Sequence, residues 1–242
     1  MKRSAIQFLL ALLLLALVIT LTAVTANAVG LRAGAVSVPR LDSELPPDLF
    51  DEDCDGGESC PGKNFIDMPP AGNWAHKAID WALTRHVAAG TDDNVFSPNL
   101  GCTRAQVVTF LWRAAGRPDP GDAPCPFTDV SESSYSYDAI RWAFSQQIAF
   151  GVTDTAFEPG KTCTRAQIVS FVWRAAGSPE CDAANCPFTD VKADAYYWQA
   201  VCWAVAHGVA YGTSENSFSP YATCTRAQAL AFLYRQAMNA SN

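Results

Sequence analysis

The chain has 242 residues, 49% of them hydrophobic, which is enough to bury a core and excludes disorder along the whole length. With 17 basic and 24 acidic residues the formal charge is -7, so the basic face of a nucleic-acid binder is missing and nucleic acid is not an expected partner. Three histidines (His76, His86, His207) stand in no HExxH arrangement, and no Gly-x-Ser-x-Gly or phosphate-loop pattern occurs, so catalytic residues, cofactors and metals are not expected.

Lys2 and Arg3 precede an uncharged run from Ala5 to Thr25 that ends in Ala26-Asn27-Ala28, the pattern of a signal peptide over residues 1–28. The run is also nearly long enough to stay behind as an anchor helix, and only in that case is a membrane a partner. Without Lys2 and Arg3 the remainder holds 15 basic against 24 acidic residues, an acidic exported chain. Export would place the nine cysteines in an oxidising compartment. Residues 29–59 are poor in aromatics and rich in Pro, Asp, Glu and Gly, and read as an acidic flexible linker. Within it Asp51, Asp53, Asp55 and Gly56 mimic the opening of a calcium loop, but Gly62 stands where a bidentate Glu is needed.

From residue 60 the sequence repeats three times, over 60–118, 119–179 and 180–242. The segment Thr-Arg-Ala-Gln begins at Thr103, Thr164 and Thr225, spaced by 61 residues each time. Gly90, Gly151 and Gly212 lie thirteen residues before each Thr, and Phe96-Ser97-Pro98 answers Phe157-Glu158-Pro159 and Phe218-Ser219-Pro220. Each unit opens on an aromatic-x-Asp element ending in Asp67, Asp129 or Asp190, and Trp81, Trp142 and Trp203 recur upstream of the glycines. Periodicity predicts a first helix over Trp74–His86, Tyr135–Gln147 and Tyr196–His207. The second helix starts at a capping box made by Thr103 with Gln106, Thr164 with Gln167 and Thr225 with Gln228. Gly116 and Gly177, each followed by a proline two residues on, mark its end in the first two units. Two short helices cannot enclose a core alone, so the fold class is all-α, with three helix-loop-helix units packed about a pseudo-threefold centre.

Six cysteines recur in two places per unit, which predicts the disulfides Cys60–Cys102, Cys125–Cys163 and Cys186–Cys224. Each would close a loop of about 40 residues and contribute about 3 to 4 kcal/mol. Cysteine metal sites are the competing reading, set aside because the pairs lack ligand spacing and nearby histidines. Cys54, Cys181 and Cys202 remain, with a Cys181–Cys202 pair available.

Arg104, Arg165 and Arg226 follow the capping Thr directly, where the helix dipole disfavours a cation by about 0.3 to 1 kcal/mol, so each calls for an anion. Free N–H donors and a guanidinium fork suit a carboxylate or phosphate. That anion is either an acid group of a ligand or Asp67, Asp129 and Asp190. Trp74, Tyr135 and Tyr196 begin the first helix, either beneath a sugar ring or in the core; the mid-helix tryptophans fit the core. Arg113, Arg174 and Arg235, near the ends of the second helices, are explained by structure alone, and His76 reads as a surface residue.

Together the aromatic-x-Asp opening, the Gly loop, Phe-x-Pro and Thr-Arg-Ala-Gln resemble the S-layer homology (SLH) domain over residues 60 to about 239. The resemblance implies a three-pronged assembly on a bacterial surface whose grooves hold secondary cell-wall polysaccharide, pyruvylated or otherwise acidic, without catalysis. The ligand-binding candidates are the Thr, Arg, Asp and aromatic positions named above. Gln replaces the commoner Glu of the family's motif, a Cys precedes each Thr, and His86 and Gln147 stand where Gly208 keeps the family's glycine. The other reading is an envelope assembly protein whose repeats contact protein subunits.

Overall fold

The computed structural model of the protein describes residues 54, 56–181 and 186–240. The signal segment, nearly all of the linker, and Asp51, Asp53 and Asp55 lie outside the described residues. Among the described residues six helices follow in order: α1 His76–Thr84, α2 Arg104–Ala114, α3 Tyr137–Ser145, α4 Arg165–Ala175, α5 Trp198–Ala206 and α6 Arg226–Ala240. Among the described residues, extended pairing is confined to isolated bridges.

The first helices are shorter than periodicity predicts. Each is preceded by a tight turn, closed by hydrogen bonds such as His76 N–H to Asn73 C=O (3.0 Å) and Tyr137 N–H to Ser134 C=O (3.1 Å), so Trp74, Tyr135 and Tyr196 precede the helix instead of starting it. The far end closes with a pair of nested bonds: Val87 N–H to Ala82 C=O and His86 N–H to Leu83 C=O in α1, repeated after α3 and α5. That motif demands a left-handed residue. His86 (φ 54°) and Gln147 (φ 58°) adopt the same conformation as Gly208 (φ 65°), so the fold survives the loss of the glycine at a strain cost. The second helices begin where expected: both halves of the capping box form at Thr103 and Gln106, Thr164 and Gln167, and Thr225 and Gln228.

The units interlock. Each first helix packs on the second helix of the preceding unit, α3 on α2 and α5 on α4, and α1 packs on α6 to close the ring. The second helices α2, α4 and α6 touch one another around the pseudo-threefold axis. Phe96, Phe157 and Phe218, from the three Phe-x-Pro turns, are fully buried, each stabilising by about 1.5 to 3 kcal/mol. Gly90, Gly151 and Gly212 let the opening aromatics of each unit approach the backbone: a Cβ on Gly90 would lie 2.6 Å from Cε1 of Phe65.

On the axis, Cys102, Cys163 and Cys224 form a closed cycle of backbone hydrogen bonds, Cys163 N–H to Cys102 C=O and Cys102 N–H to Cys224 C=O at 2.8 Å, and Cys224 N–H to Cys163 C=O at 3.0 Å. The structure does not bear out the disulfide expectation: Cys60, Cys102, Cys125, Cys163, Cys186 and Cys224 carry no S–S bond among the described residues. Cys60 faces Cys54 and His76, and Cys186 lies beside Cys202 and Cys181. Threefold repetition brings one position from three units together instead of two positions of one unit. Burial pushes the Cys163 and Cys224 thiols up to about 12, keeping them protonated and inert.

Candidate functional site

The aspartates are staples of a turn. Asp67 accepts from the N–H groups of Phe96 (2.8 Å) and Ser97 (2.7 Å), Asp129 from Phe157 and Glu158 (2.8 and 2.7 Å), and Asp190 from Phe218 and Ser219 (2.9 and 2.8 Å). The second residue of each turn is left-handed, at φ 57°, 57° and 56°, and the carboxylate holds it there. Desolvation works to raise the Asp129 carboxyl, but its two backbone donors and the nearby Arg104 hold it below its ordinary value. Asp190 is held down likewise by Ser217 and its backbone donors.

The opposite side of the same turn receives the arginine of the preceding unit. Arg104 Nε donates to Phe157 C=O (2.6 Å) and Nη2 to Phe150 C=O (2.7 Å), and its guanidinium stacks 4.5 Å from the Phe157 ring centroid. Arg165 does the same to Phe218 and Tyr211 (2.9 and 2.7 Å), and Arg226 to Phe96 and Ala89 (3.2 and 2.8 Å). The helix N-terminus is spent as well. Arg104 N–H and Ala105 N–H donate to Lys161 and Pro159 of the next unit, a pattern repeated at Arg165 and Arg226, and the third donor goes to the capping Thr. The anion expected at Arg104, Arg165 and Arg226 is therefore replaced by neutral carbonyl oxygens from the neighbouring unit. These arginines are 4, 4 and 3% exposed, and burial lowers the pKa of each. They clamp unit to unit and do not present a fork to solvent. The aspartates influence them electrostatically, and no direct Asp–Arg ion pair forms between them among the described residues.

The three starting aromatics have the opposite fate. Trp74, Tyr135 and Tyr196 are 56, 63 and 63% exposed. The Tyr135 hydroxyl lies near the Thr103 side chain, at the capped N-terminus of α2, and desolvation raises its pKa. Trp74 lines a cleft of about 340 Å³ with Asp67, Met68, Asn73 and Asn99 of its own unit and Ala227 at the start of α6. Each ring thus marks a junction with the preceding unit.

Arg113, Arg174 and Arg235, which structure alone was expected to explain, are only half-buried. Each spends one bond, Nη1 to the carbonyl of Val87, Ile148 or Val209, at 3.3 to 3.4 Å. Arg113 and Tyr135 lie within electrostatic reach of each other, as do Arg174 and Tyr196. Phe150 and Tyr211, both exposed, stack on Arg174 (5.2 Å) and Arg235 (4.7 Å), while the equivalent place in the first unit is Ala89. The signal available in the sequence was position: each precedes the repeated glycine. Trp81, Trp142 and Trp203 are core residues. His76 is not on the surface but 4% exposed, among Cys54, Cys60 and Asp80.

The S-layer homology domain profile matches residues 64–108, 126–169 and 187–230. The chain belongs to this family. It is 25% identical over 179 residues to an S-layer protein of Bacillus thuringiensis subsp. finitimus, covering 71% of this chain and 21% of that one. To an amylopullulanase of Thermoanaerobacterium thermosulfurigenes it is 28% identical over 177 residues, 71% of this chain and 9% of the relative. A cellulosome-anchoring protein of Acetivibrio thermocellus is 23% identical over 152 residues, 60% of this chain and 34% of its own. The SLH chain thus spans a minor part of the length of each of these relatives. It is a cell-surface, cell-wall-associated protein.

Proposed function

We propose that the protein attaches non-covalently to an anionic secondary cell-wall polysaccharide through its three inter-unit grooves, and that it acts without catalysis. One observation carries this reading: a solvent-exposed aromatic recurs at every unit junction, at Trp74, Tyr135 and Tyr196, where a ring would normally be buried. In this reading the rings offer an apolar face to the sugar. Arg113, Arg174 and Arg235 supply charge for an acidic substituent, pyruvate or another carboxylate. The buried Arg104, Arg165 and Arg226, with Asp67, Asp129 and Asp190 and the caps Thr103, Thr164 and Thr225, fix the groove floor. Anchoring, named for the Acetivibrio relative, is the role that fits.

The test is sedimentation with purified cell walls before and after chemical removal of the secondary polymer. Retention on intact walls, loss on stripped walls, and a fall of about tenfold or more in the Trp74→Ala/Tyr135→Ala/Tyr196→Ala variant are expected. Unchanged binding to stripped walls would transfer the role to protein contacts in envelope assembly.

A further inference from the structure

Each unit must fasten the segment that leads into it onto its first helix, and the three do so with different chemistry at one position. Asp80, Arg141 and Cys202 are spaced by 61 residues, all facing that segment. In the second unit Arg141 donates from Nε to Ala123 C=O (2.7 Å) and from Nη2 to Gly121 C=O (2.5 Å). In the third, Cys202 lies against Cys186. In the first, Asp80 joins His76, one turn before it on α1, and both face Cys54 and Cys60 from the leading segment.

The four side chains converge on one point. His76 Nε2 is 3.4 Å from Cys54 Sγ, 3.7 Å from Cys60 Sγ and 3.1 Å from Asp80 Oδ2, and Cys60 Sγ is 3.8 Å from that same oxygen. All four ligand atoms lie within 4.8 Å of one another. A tetrahedral zinc with bonds of about 2.3 Å to sulfur and about 2.0 to 2.1 Å to nitrogen and oxygen sets its ligands about 3.5 Å apart for S···N and S···O and about 3.3 Å for N···O. The observed separations follow those edges within a few tenths of an ångström.

The histidine is already turned for the task. Its Nδ1 lies 2.6 Å from Pro69 C=O, so Nδ1 carries a proton and Nε2 is the nitrogen turned toward the two sulfurs and the carboxylate. A carbonyl behind a ligating imidazole is the usual outer partner of a metal-bound histidine, and here the backbone supplies it. Burial adds a second reason. Cys60, His76 and Asp80 are 3, 4 and 8% exposed, and a carboxylate in so dry a place calls for a positive charge beside it.

We propose that Cys54, Cys60, His76 and Asp80 form a structural zinc site that staples the segment before the first unit to α1. Four protein ligands leave no open coordination position, so the site is structural and holds no reactive water. Zinc takes both sulfurs as thiolates, their two protons going to solvent, and the Asp80 carboxylate and His76 Nε2 complete the set. The sequence concealed the site because its ligands are spread over 27 residues, with only His76 and Asp80 in helical register.

The experiment uses the full chain, stripped with chelator under reducing conditions and titrated with Zn²⁺ alone. Native mass spectrometry is expected to show one zinc per chain, displacing two protons. Co²⁺ in its place should give the thiolate charge-transfer band and the intense visible bands of a tetrahedral site. Cys54→Ser, at a position outside the helices, should weaken zinc binding by about a hundredfold or more with unchanged helical content, whereas Cys202→Ser should bind as the parent does. Absence of bound zinc at saturating metal, or full affinity in Cys54→Ser, would overturn the proposal. So would a Cys54–Cys60 disulfide, two mass units lighter, in chain recovered from the cell surface.

Discussion

Arg104, Arg165 and Arg226 form an inner set of arginines, and Arg113, Arg174 and Arg235, nine residues later on the same helices, an outer one. The inner set sits at the positive end of the helix dipole, and its Nε, Nη2 and the first two backbone N–H groups are turned onto carbonyls of the next unit. The outer set makes one long bond apiece, stays half-exposed, and lies toward the exposed aromatics. An unfavourable location for a cation can therefore signal a structural clamp as readily as a ligand site. Accessibility, which the sequence does not carry, separates the two.

The sharpest way to break this comparison is Arg165→Ala. It strands the buried carbonyl of Phe218, leaves the partly buried one of Tyr211 without its donor and removes the stacking on Phe218, at a cost of about 3 kcal/mol. For a folded region of this size the melting temperature should fall by about 10 °C, followed by circular dichroism. Arg165→Lys keeps charge but not the fork and should fall between. A melting curve that overlays the parent, together with lost wall binding, would return the inner set to the ligand.

The outer set should behave in reverse. Arg174→Ala removes one bond of 3.3 Å and a cation from beside Tyr196, and should weaken wall binding by severalfold while the melting temperature moves by less than about 2 °C. Binding by the parent should also weaken as salt rises, since these cations are half-exposed. Salt-independent binding would remove charge from the recognition. Acid offers a gentler probe of the floor. Asp129 and Asp190 have folded pKa values below their unfolded ones, so their contribution is complete above the ordinary carboxylate range and is lost as pH falls through the folded values. Stability should thus hold at neutral pH and decline below about pH 4, and Asp190→Asn, which removes the more shielded carboxylate, should flatten that decline. Asp129 is exposed and should matter less.

Local signals in the sequence carried most of the architecture. The capping boxes, the helix-ending glycines and the 61-residue period depend on neighbours in the chain, and the structure realises each of them. What lay hidden depends on which copies meet. The ring closure of α1 on α6 joins the two ends of the repeat array, and no spacing within a unit announces it. The same symmetry gathers Cys102, Cys163 and Cys224 on the axis, which defeats pairing by repeat position. For the site, the aromatics were recognisable by type, but their exposure followed from a helix that starts two residues later than periodicity suggests. His76 was taken for a surface residue because its partners Cys54 and Cys60 come from a segment read as linker.

The smallest expected effect serves as the control for all the others. Gln147 holds φ 58° at the end of α3, where Gly208 does the same work in the third unit without a Cβ. Replacing it by glycine relieves left-handed strain of about 1 to 2 kcal/mol but adds unfolded-state freedom of about 0.5 to 1, leaving a net gain near 0.5 to 1 kcal/mol. The melting temperature should rise by about 2 °C. Gln147 belongs to neither arginine set and to none of the three exposed rings, so wall binding should not move. If Gln147→Gly tightened binding in step with its stability, the losses in the outer variants would be reporting the population of folded chain, and the division between clamp and contact would have to be redrawn.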